Sequence, residues 1–86
     1  MPRVMPSTPK QPRRHKDERS AAAVFGANLR AARLAAGRTQ AEIAHAAGVS
    51  QNKLPPIEQG QIDVRLSTAR KLARAVGGSL RDLVSD

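Results

Sequence analysis

Ser50, Gln51, Asn52 and Lys53 follow one another between the Gly48-Val49 pair and the apolar anchor Leu54. Adjacent carboxamides are the side chains that pair bidentately with N6 and N7 of adenine, and a lysine beside them can meet a guanine or a phosphate. That is the chemistry of reading bases, not of breaking bonds. The residues that bond-breaking needs are scarce. There is no cysteine, which removes disulfides and thiolate metal sites. The only imidazoles are His15, in a polar tail, and His45, read as an exposed residue on a helix, too few for a histidine metal cluster. No nucleophile–base set and no carboxylate pair stands out, so neither an enzyme nor a cofactor is expected. Phe25 is the sole aromatic, and single-strand and RNA binders would lack their stacking platforms.

The charge points the same way. The formal net charge is +8 and the isoelectric point about 11.6, a field that favours polyanions. Taken alone, the same charge could serve solubility only. No apolar run approaches membrane-spanning length, and nothing resembles a secretory leader. No membrane partner is expected, and the expected location is the cytoplasm. A chain of 86 residues suits one small domain with local, helical contacts.

The stretch from Thr39 to Gly60 must position those polar residues. Thr39 and Glu42, three apart, make a capping box for a helix over 40–47. Ile43, Ala44 and Ala47 share one face of it. Gly48 stops it, because glycine enters the left-handed conformation without steric cost. Val49 then reads as a buried plug. Ser50 reads as the N-cap of a second helix with Leu54 and Ile57 inside, ended by Gly60. Helix, glycine turn and capped helix is the helix-turn-helix layout, whose second helix enters a major groove.

These residues resemble the Cro/C1-type (Xre-like) helix-turn-helix domains of phage repressors and small bacterial regulators. The marks are Leu29, Arg33 and Gly37, then Thr39-Gln40, Glu42, Ala44, Gly48-Val49-Ser50-Gln51, Leu54, Ile57-Glu58 and Gly60. They continue with Leu72-Ala73, Val76-Gly77, Ser79-Leu80 and Leu83, so the likeness covers about residues 22–84. The resemblance implies that Arg33 pairs with Glu58, tying the first helix to the third. It implies that Gln40 binds a DNA phosphate and braces Gln51. It places Ser50, Gln51 and Asn52 where such proteins reach base edges, with Lys53 beside them.

Pro55 and Pro56 depart from that pattern. Inside a helix each would cost about 3 kcal/mol, through the lost N–H and ring crowding. Pro56 also stands where relatives often carry another DNA-contacting polar residue. Three outcomes are open. The helix breaks after Leu54 and restarts with proline in its first turn, or it continues with a kink held by Leu54 and Ile57, or the prolines are an engineered or defective change.

The rest of the chain frames this core. Residues 1–20 hold four of the six prolines and no helical or strand period, and read as a disordered basic arm. Six cations against two acids give the arm +4. Its cations, Arg13 and Arg14 among them, either follow DNA phosphates or form a solvated leader. Residues 21–86 form the domain. Ser20 caps a helix over 21–36 with Phe25, Leu29, Ala32 and Ala36 as its inner stripe and Arg30, Arg33 and Arg38 off it. A loop over 61–65 follows, with Asp63 free to cap or turn. The next helix spans 66–76, with Leu66, Ala69, Leu72, Ala73 and Val76 inward. Its outer Arg65, Arg70, Lys71 and Arg74 are either a solvated face or a secondary phosphate contact. Ser79 and Asp82 box a short helix over 80–84, whose Leu80, Leu83 and Val84 close the core or supply a dimer seam.

The fold class read from this is all-α: a compact five-helix, lambda-repressor-like helix-turn-helix domain with a disordered basic N-terminal arm. The function read is sequence-specific binding of a double-stranded DNA operator as a transcriptional repressor, by a homodimer on two half-sites. The alternative is the antitoxin of a toxin–antitoxin pair, whose arm would fold on a toxin protein while the domain represses its own operon. An activator, such as a restriction-system controller, shares the fold.

Overall fold

The computed structural model describes residues 20–85, in which five α-helices and one 3-10 turn occur and no strand. The arm, with Arg13 and Arg14, lies outside the described residues. The helices are α1 (Ala21–Ala35), α2 (Gln40–Ala47), α3 (Leu54–Glu58), α4 (Leu66–Ala75) and α5 (Leu80–Val84), with the 3-10 turn Gln51–Lys53 running straight into α3. No helix among these residues is long and apolar enough to cross a membrane.

Local chemistry sets most boundaries. The Ser20 hydroxyl accepts from the Ala23 N–H at 3.0 Å and opens α1. Thr39 and Glu42 form a reciprocal capping box at α2, and Ser79 and Asp82 repeat it at α5. Gly48 closes α2 in the left-handed region at φ 70°, where a side chain would be strained. The chain then turns without lengthening the loop.

Phe25, Leu29, Ile43, Leu54, Ile57, Leu72 and Leu83 make one buried cluster, joined by Ala44, Ala47, Ala69 and Ala73. Every helix contributes, and α3, although only five residues long, is held against α1 and α2 through Leu54 and Ile57. Val49 is half-buried against this cluster instead of fully inside it. Ala36 lies past the end of α1 and is exposed, and Leu66 is 69% exposed at the start of α4. Both belong to apolar stripes by spacing, but terminal positions face away once the helix ends. The inner face of α1 continues instead from Phe25 and Leu29 to Arg33, one more turn along.

Two close approaches fix α1 against its neighbours. Gly26 packs on the end of α3 so tightly that a Cβ would collide with the Ile57 carbonyl and sit 2.8 Å from the Glu58 carbonyl. At the other end of the chain, the Asn28 side-chain amide donates to the Leu83 and Ser85 carbonyls, both at 2.9 Å. Those are free carbonyls at the end of α5, which would otherwise need water. One side chain therefore pins the end of α5 to α1.

Candidate nucleic-acid interface

Arg33 and Glu58 lie in the interior, Glu58 only 6% exposed. Arg33 Nε donates to Glu58 Oε2 at 2.7 Å and Nη2 to Oε1 at 3.1 Å, a bidentate pair joining α1 to α3. The hydrogen bond to Glu58 raises the Arg33 pKa above its usual value, against the opposing effect of burial. Arg33 Nη1 also donates to the Arg38 carbonyl at 3.0 Å and fixes the α1–α2 connection. A buried charge needs such complete partnering, because either ion left alone would carry its full desolvation cost.

Gln40 joins the same network. Its Nε2 donates to Glu58 Oε1 at 3.0 Å, so the first residue of α2 is tied to the last of α3. Among the described residues no hydrogen bond joins Gln40 to Gln51. The brace implied by resemblance is replaced by this one, since the Gln40 amide is committed to the carboxylate and Gln51 faces solvent.

The prolines shape the entry to α3. Ser50 is extended, at φ −61° and ψ 132°, and its side chain makes no capping hydrogen bond. Its own carbonyl accepts the Lys53 N–H at 3.0 Å, taking the donor that a serine cap would have used. The Gln51 carbonyl likewise accepts from Leu54. These i→i+3 bonds make the entry a 3-10 turn, and the α-helix starts at Leu54. Pro55 and Pro56 then fall in its first turn, where N–H groups have no helical acceptor. The break comes before Leu54, one residue earlier than the break-and-restart outcome placed it. Leu54 stays helical at φ −62° and ψ −51° although it precedes a proline, and its burial in the core holds it there.

Gln51, Asn52 and Lys53 are exposed together on this turn, above the buried Leu54 and Ile57. Beside them an open cleft of about 370 Å³ separates the turn from the α3–α4 loop, with Lys53 and Arg65 among its lining residues. Sequence reasoning missed Asn28, Gly26 and the role of Gln40 in the buried network. Each depends on a partner 18 or more positions away, and no local pattern marks it.

A family profile described as a helix-turn-helix domain matches residues 24–85. The chain belongs to the helix-turn-helix family, of the Cro/C1 (Xre-like) type. Among solved structures, this helix-turn-helix chain is similar to the restriction-modification controller protein C.AhdI from Aeromonas hydrophila. The two are 34% identical with a TM-score of 0.69, over 72% of this chain and 94% of that one. It is also similar to the clp gene regulator ClgR from Corynebacterium glutamicum, at 32% identity in two structures. Their TM-scores are 0.74 and 0.72, over 77% of this chain and 70% and 86% of those chains. A search of curated protein sequences gives no significant match.

Proposed function

We propose that this chain is a sequence-specific, double-stranded-DNA-binding transcription regulator that acts by occupying an operator, as a repressor. One observation carries the reading. Gln51, Asn52 and Lys53 project from a turn whose neighbours Leu54 and Ile57 are buried. Three polar side chains suited to base edges and phosphates thus stand on a fixed base. Gln40, held by Glu58, sits in the first turn of α2, where free N–H groups and the helix dipole favour a phosphate. Ser50 and Lys53 add phosphate contacts beside the bases, and Arg13 and Arg14 extend them along the backbone. Phosphate contacts set the register, and Gln51 and Asn52 read. The bound protein then excludes polymerase. The controller and the clp gene regulator among the similar structures support the regulatory reading. Selection from a random duplex pool tests it: a shared motif should be enriched, and a pool without one would overturn base reading.

The functional unit in this reading is a homodimer. Leu83 is buried and belongs to the core, whereas Leu80 is half-buried and its outer side borders the same apolar hollow as Val84. Val84, 54% exposed, lines that hollow with Phe25, Ile62, Leu66 and Ala69. Leu66 projects beside a recess that includes the small side chains of Ala21, Ala22 and Ala69. A patch that carries both a knob and a hole can pair with its own copy about a two-fold axis. Leu66→Glu should therefore leave the fold intact and give a monomer by sedimentation with palindromic DNA. An unchanged dimer on that DNA would place the seam elsewhere.

A further inference from the structure

A basic hollow lies on the flank of α2 and α4. Arg38, His45, Lys71 and Arg74 line it, over a floor of Ala46, Ala47, Gly48 and Ala75. Arg38, Lys71 and Arg74 are exposed, and none of them has an ion-pair partner among the described residues. Its lining contains no acid. The carboxylate that feels Arg38 is Glu42, whose pKa is lowered first by the Thr39 N–H and in small part by Arg38. Gly48 borders both this hollow and the cleft whose charged lining residues are Lys53, Arg65 and one acid, Asp63. Thr68 lines the cleft and Lys71, one turn on, lines the hollow, so the two meet along α4. From Thr68 to Ala75 the helix rises about 10 Å. Three phosphates of one strand occupy about the same length of duplex axis.

We propose that this flank of α2 and α4 is a second DNA-backbone site, taking the duplex that runs on from the bases read by Gln51 and Asn52. The inference rests on the DNA-binding reading above and extends it. The occupant is argued from the chemistry of the hollow. Its floor is alanine and glycine, with no large apolar or aromatic anchor of the kind on which protein partners concentrate their binding energy. It offers unpaired cations, and guanidinium and ammonium groups without an apolar anchor suit a phosphodiester chain. DNA engaged there lies against Lys71 and Arg74 by charge alone. Its contribution is independent of sequence and sensitive to salt.

The test compares two double variants of equal charge on a random-sequence duplex of about 30 base pairs, roughly three helical turns. Lys71→Gln with Arg74→Gln removes two cations of the flank. Arg30→Gln with Arg81→Gln removes two exposed cations on α1 and α5. Binding is measured across a salt series, with melting curves to verify folding. The flank pair should lower the slope of log affinity against log salt by about 1–2, at about 0.9 for each phosphate no longer neutralised. The control pair should leave it nearly unchanged. Equal slopes in the two pairs would overturn the proposal while leaving DNA binding intact. Failure of the parent to bind any duplex would overturn the DNA-binding reading itself, and this site with it. A parallel titration with oligoglutamate tests the acidic-protein occupant. A larger loss there than on DNA in the flank pair would overturn the DNA assignment and give the site to an acidic protein.

Discussion

Glu58 holds three elements at once. Its carboxylate accepts from Arg33 of α1 and Gln40 of α2 while it ends α3. Removing it strands a buried guanidinium, so Glu58→Ala should destabilise the domain by about 3–5 kcal/mol. Arg33→Ala made on top of it should cost less than the sum, because the second change removes the stranded ion. Additive losses in thermal or urea unfolding would contradict a coupled pair. Glu42 makes a different residue-scale case. The Thr39 N–H, and then the Thr39 hydroxyl, hold its carboxyl below the usual glutamate range, helped by Arg38. Its folded pKa lies below the unfolded one, so this stabilisation is present above about pH 4.3 and is lost as pH falls through the folded value. Glu42→Gln should flatten the acid limb of the stability profile. An unchanged acid limb would remove Glu42 from it. Capping residues such as these are legible in sequence because both partners lie within one turn. Resemblance points Gln40 at Gln51, and only tertiary placement reveals its bond to Glu58.

At the scale of elements, the pair Pro55-Pro56 decides where α3 starts. A 3-10 turn carries the exposed amides, and the prolines occupy helix positions that need no donor. The helix-interior cost of about 3 kcal/mol per proline is therefore not incurred. A proline already in its preferred conformation stabilises by restricting the unfolded chain. Pro56→Ala should accordingly lower stability slightly, by about 0.4–1 kcal/mol, and a rise in melting temperature would mean strain instead. Gly26 should tolerate nothing larger, since its Cβ would meet carbonyls of α3 that are themselves fixed by the core. Gly26→Ala should cost about 3 kcal/mol by overpacking, and a neutral change would show that the α1–α3 approach relaxes freely. The ends of α1, α2, α4 and α5 lie within a residue of the sequence reading because side-chain caps and glycine stops are local signals, except at the start of α4, which has no side-chain cap and follows from its apolar period. The 3-10 entry to α3 was not legible, since it depends on how the buried Leu54 overrides the restriction imposed by Pro55.

At the scale of the molecule, five short helices converge on one cluster, and the apolar periods of α1, α2 and α4 foretold most of it. What periodicity could not foretell is which apolar side chains remain outside. Leu66, Ile62 and Val84 sit at helix ends or in a loop, and their exposure depends on how α4 and α5 meet α1. That arrangement leaves three adjoining surfaces: an apolar hollow suited to a second copy, a polar turn suited to base edges, and a basic flank between α2 and α4. The central proposal is that the polar turn reads DNA. It is tested most directly by titrating a selected operator and a scrambled duplex at one fixed salt concentration with the parent, Gln51→Ala and Asn52→Ala. Each substitution should cost about 1–3 kcal/mol on the operator and almost nothing on the scrambled duplex, narrowing the gap between them. A parent that discriminates, with variants that discriminate equally well, would contradict base reading by this turn.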